Sequence, residues 1–78
     1  MTGPELRAIR QRLGLTLYAF GLALGYRGSR NAVQVTVARL ESGRARITPQ
    51  VERLATMYAR RGVPREFMRS GHARPGAK

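Results

Sequence analysis

Apolar residues recur at helical spacing in four stretches, each bracketed by residues that start or stop helices. Leu6, Ile9 and Leu13 mark the first, with Arg7, Arg10, Gln11 and Arg12 between them. Thr2-Gly3-Pro4-Glu5 opens it. Thr2 caps, Pro4 suits the first turn, and Glu5 stands three residues after Thr2, as in a capping box. Gly14 ends it. Thr16 caps a second helix from Leu17 to Leu24, with Phe20 and Leu24 toward the core and Gly25 as the stop. Gly21 lies inside this helix and costs it stability, which predicts a close backbone contact there.

Gly25-Tyr26-Arg27-Gly28-Ser29-Arg30 is a loop by composition, and Asn31 is the expected cap of the next element. Val33-Gln34-Val35-Thr36-Val37 is ambiguous. Its alternation and β-branched residues favour a strand. Val33, Val37 and Leu40 also fall at i, i+4 and i+7, and Gly43 is a good helix stop. Helix is favoured for Asn31 to Ser42, because the nearest strand partner, Ala45 to Thr48, is short. Thr48-Pro49 opens a fourth helix with Val51, Leu54, Ala55 and Tyr58 on its apolar face and Gly62 at its end. Pro64 starts a short final helix carrying Phe67 and Met68. The expected fold is all-α, a compact bundle of about five short helices. The domain runs over 1–69, followed by a flexible basic tail at 70–78.

Composition narrows the function. A chain of 78 residues allows one small domain with a thin core. There is no cysteine, hence no disulfide and no thiolate metal site. His72 is the sole histidine, and Glu5, Glu41, Glu52 and Glu66 are scattered. No catalytic residue, metal site, cofactor or small-molecule ligand is expected. No apolar run reaches membrane-spanning length and no leader is evident, so the expected location is the cytoplasm, without a membrane partner. The net charge of +11, carried by 14 arginines and one lysine, calls for a polyanion. Arginine suits this because its planar fork matches phosphate and guanine edges.

The order of these pieces resembles the lambda-repressor-like (Cro/repressor, XRE) helix-turn-helix family. The matching segments are Leu6-Arg7-x-x-Arg10-x-x-Leu13-Gly14-Leu15-Thr16, Phe20-Gly21-x-x-Leu24-Gly25 and Val37-x-Arg39-Leu40-Glu41-Ser42-Gly43-Arg44. Val63-Pro64-Arg65-Glu66-Phe67 is similar to the family's closing turn. The resemblance implies that the third helix enters the major groove of double-stranded DNA. Gln34, Val35 and Arg39 would then face bases: adenine, a thymine methyl and guanine respectively. Thr16, Arg27, Arg30, Thr36, Ser42, Arg44 and Arg46 would contact phosphates. Glu41 would pair with Arg10 and fix the helix orientation.

Two departures stand out. The interval from Gly25 to Glu41 is several residues longer than the family's, which enlarges the loop before the third helix. Leu17 replaces a frequent polar residue, and with Tyr18 and Leu22 it makes the second helix unusually apolar, through packing under the loop or as a subunit contact. The resemblance implies a sequence-specific repressor acting as a homodimer on an inverted-repeat operator. Such a regulator would be an autorepressor of a phage or mobile-element operon, anti-CRISPR-associated or antitoxin in type. Two alternatives stay open: a winged helix whose hairpin spans Val33–Leu40 and Ala45–Thr48, and a basic module for proteins or membrane surfaces.

Overall fold

Four side-chain hydroxyls set the starts of four helices. In the computed structural model, which describes residues 1–67, α1 is Gly3–Leu13, α2 Leu17–Ala23, α3 Arg30–Ser42 and α4 Pro49–Arg61. Thr2, Thr16, Ser29 and Thr48 stand in extended backbone just before them. Each accepts a hydrogen bond from the amide three residues on: Glu5 at 3.2 Å, Ala19 at 3.1 Å, Ala32 at 3.1 Å and Val51 at 3.2 Å. Each cap contributes about 1 kcal/mol by satisfying an amide that the helix itself leaves open. At α1 the Glu5 carboxylate returns the favour, accepting from the Thr2 amide at 2.7 Å. That bond holds the Glu5 carboxyl below the usual carboxylate range.

The chain is all-α, with no strand among the described residues, and a further helical turn begins at 65. The stretch 33–40 is helix and 45–48 is irregular, which removes the hairpin of the winged-helix alternative. Its β-branched residues are accommodated because Val33, Val37 and Leu40 all bury on one side of α3, and tertiary packing overrides local preference. Two boundaries move relative to expectation. Ser29, not Asn31, caps α3, so Arg30 is helical rather than part of the loop. α2 ends at Ala23, with Leu24 as its C-cap. Met68, His72 and the tail expected at 70–78 lie outside the described residues.

Phe20 is the largest fully buried side chain, and Leu6, Val33 and Val37 are likewise sealed from solvent. Burial of each is worth about 1.5–3 kcal/mol. α3 packs on both α2 and α1, and α4 packs on α1. Tyr58 of α4 is buried and donates its hydroxyl to the Ala23 carbonyl at 2.5 Å, closing the end of α2 from the other side. Burial pushes its phenol up from the ordinary tyrosine range. Leu17, Tyr18 and Leu22 are half-buried; Leu17 packs against the core, as does Tyr26 of the loop.

Two glycines permit α3 to come this close. A Cβ on Gly21 would run into Val33 Cγ1 and lie 3.0 Å from Val37 Cγ2. The predicted close contact is thus with two side chains of α3. A Cβ on Gly3 would strike the Glu41 carbonyl oxygen and lie 2.9 Å from the Leu40 carbonyl oxygen. Alanine is the better helix former by about 0.5–1 kcal/mol. Overpacking nonetheless costs typically about 1–3 kcal/mol, so Gly21→Ala is expected to destabilise the fold by about 1 kcal/mol net. Gly3→Ala should cost as much or more, because backbone cannot rotate out of the way as a side chain can. Urea denaturation checks both; a stabilised Gly21→Ala variant would contradict the packing described.

Candidate nucleic-acid interface

α3 has one face committed to the core and one committed to nothing. Val33, Val37 and Leu40 point inward. Asn31, Val35, Ala38 and Ser42 repeat the same rhythm on the opposite side and are exposed, and Arg39 is exposed beside them. Val35 is 38% exposed, so it does not serve the core. Gln34, expected to face outward, is half-buried on the flank, two turns before Glu41. Neither the Asn31 carboxamide nor the Arg39 guanidinium has a hydrogen-bond partner among the described residues.

An ion pair fixes which way this helix turns. Arg10 Nε donates to Glu41 Oε2 at 2.7 Å, and Nη2 donates to Oε1 at 3.3 Å. Nη1 donates to the Leu15 carbonyl at 3.0 Å. One guanidinium therefore ties together α1, the α1–α2 connection and the last turn of α3. The side chains are 15% and 8% exposed, so this fork is well shielded from water. A shielded fork of this kind sets geometry more than it adds net stability.

Arginines surround the outward face. Arg27 lies in the connection before α3, Arg30 and Arg39 on α3, and Arg44 and Arg46 in the segment after it; all five are exposed. The one carboxylate between residues 27 and 46, Glu41, is taken by Arg10. Glu52 lies on α4, 3.3 Å from the Met1 ammonium, and Glu5 closes its own capping box. Among the described residues, none of these three carboxylates is paired with the exposed arginines before, on and after α3. Among the described residues no group of three or more His, Asp or Glu is placed to hold a metal ion.

The candidate phosphate contacts differ in readiness. Thr16 caps α2 by accepting from Ala19, which leaves its hydroxyl proton free to donate. Thr36 donates to the Ala32 carbonyl at 2.9 Å, and Ser42 donates to the Arg39 carbonyl at 3.2 Å. Both protons are spent within α3 and must be released before either hydroxyl can hold a phosphate. Arg30 is held with its guanidinium 4.4 Å over the Tyr18 ring, a cation–π contact that orients it at the start of α3. Nothing in the spacing of Tyr18 and Arg30 signals this stacking, because it spans the loop. On residue type Asn31 reads as a cap; its exposed first-turn position follows from Ser29 taking the cap instead. Comparison with protein-family models, curated proteins and solved structures finds no match.

Glu41→Ala leaves a shielded Arg10 with one acceptor, and an expected loss of about 2–3 kcal/mol. Removing both charges together, as Arg10→Met with Glu41→Leu, should recover most of that loss. Urea denaturation of Arg10→Met, Glu41→Leu and their double variant decides it. Strictly additive losses would show that the two groups act independently.

Proposed function

We propose that this chain is a sequence-specific double-stranded DNA-binding regulator of the helix-turn-helix kind. α2 and α3 are its two helices, and α3 is the one that enters the major groove. One observation supports this above the others: α3 turns a solvent-facing side away from the core, and five exposed arginines lie on it and in the segments on either side, paired with none of Glu5, Glu41 and Glu52. A major groove about 12 Å wide admits one α-helix, and the flanking phosphates demand cations on both sides of it. Arg27 and Arg30 stand before the exposed face, Arg44 and Arg46 after it.

Arg39 and Val35 reach base edges, while Arg27, Arg30, Arg44, Arg46 and Thr16 clamp phosphates. One such module buries limited surface, and each wrong base pair costs only about 1–3 kcal/mol, so discrimination favours a homodimer on an inverted repeat. Half-sites would lie about 34 Å apart or a multiple of that. A regulator of this type, working in the cytoplasm, would repress its own operon by occupancy alone.

The membrane-surface alternative has less behind it. No helix among the described residues is long and apolar enough to cross a bilayer. A surface-seeking helix needs an apolar side, whereas the large apolar side chains exposed here, Val35 and Met57, stand on different helices.

Arg39→Ala should reduce preference for the selected site over random duplex by about 10- to 100-fold while leaving random-duplex affinity within a few-fold. Arg44→Ala should weaken both alike and reduce the salt slope of log K by about 1, the share of one phosphate contact. Fluorescence anisotropy across a salt series measures both. Equal losses on selected and random duplex from the two variants would overturn this division of roles.

A further inference from the structure

The half-buried flank position of Gln34 leaves the adenine-reading role unfilled on the exposed side of α3. We infer that Asn31 fills it, and that the stripe Asn31, Val35, Arg39 reads adenine, a thymine methyl and guanine in that order along one half-site. This rests on the DNA-binding reading and specifies the bases that reading leaves open.

Three observations lead here. Asn31 lies on the exposed stripe with Val35, Ala38 and Ser42, opposite the buried Val33, Val37 and Leu40. Because Ser29 does the capping, the Asn31 carboxamide owes nothing to the helix end, and it has no partner among the described residues. Its neighbour Arg30 is stacked on Tyr18, which anchors the start of α3 to α2. The first turn is thus braced where Asn31 projects from it.

The chemistry follows from the side chains. A carboxamide offers one donor and one acceptor in the plane that adenine presents as N6–H and N7. Guanidinium matches the two acceptors of guanine, O6 and N7. An exposed valine between them has no polar edge to pair and suits the thymine methyl. Asn31 and Arg39 are eight residues apart, about 12 Å of helix rise. That distance corresponds to between three and four base-pair steps at about 3.4 Å each. The adenine and guanine columns should therefore lie three or four base pairs apart, with the thymine column between them. Ala38 sits beside Val35 on the same side and is small enough to let the helix approach.

Selection from a random duplex library, run on the wild type, Asn31→Ala, Asn31→Ser and Gln34→Ala, tests this. Circular dichroism verifies that each variant keeps its helix content. The wild type should yield a consensus with the adenine and guanine columns at the stated separation. Both Asn31 variants should lose the adenine column, with preference there falling on the order of 10- to 100-fold. Gln34→Ala should keep all three columns. A wild-type consensus that survives both Asn31 substitutions, or loses its adenine column in Gln34→Ala, overturns the inference while DNA binding stands. No enriched sequence for the wild type overturns the DNA-binding reading and this inference with it.

Discussion

The structure depends on how closely α3 can be pressed against α1 and α2. Two missing side chains and one ion pair set that distance. Gly21 lets Val33 and Val37 lie against the backbone of α2, and Gly3 lets the end of α3 meet the first turn of α1. Arg10 then grips Glu41 and the Leu15 carbonyl together, which fixes the rotation of α3 about its own axis. Rotation matters more than position. A turn of one residue would bring Arg39 or Asn31 toward the core and push a valine out. In so small a domain the apolar core alone is thin, so polar contacts of high directionality carry more of the specification.

The same arrangement sorts the charges. A chain with +11 must place its cations somewhere, and mutual repulsion opposes gathering them on one side. Three of the four glutamates are committed away from the exposed arginines around α3. Glu41 faces inward to Arg10, and Glu5 and Glu52 serve the amino-terminal end. The arginines from 27 to 46 are exposed to solvent. The energetic burden of that crowding is relieved when a polyanion lies across it.

Much of the fold was legible because its signals are local. Thr2, Thr16 and Thr48 cap helices where the sequence places them, and the spacing of Val33, Val37 and Leu40 outweighs the strand-like alternation of 33–37. The site was legible less evenly. Arg10 and Glu41 are paired as the family resemblance implies, and Val35 is outward although a valine-rich helix gives no local reason for it. What the sequence hid is the start of α3. Ser29 and Asn31 are both competent caps, and only tertiary contact decides between them. That single choice moves Arg30 from loop to helix and turns Asn31 from a structural residue into a surface one. The Tyr18–Arg30 stacking and the duty of Gly3 are equally hidden, since both join residues far apart in sequence.

The central claim is that the outward side of α3 is the surface that meets DNA. Amide resonances of the protein, followed while a short duplex is added, test it most directly. Residues 27 to 46 should shift together and report a single binding site, while the outer positions of α4 around Arg53 and Met57 stay near their starting values. Shifts centred on α4, or none at millimolar duplex in low salt, would contradict it.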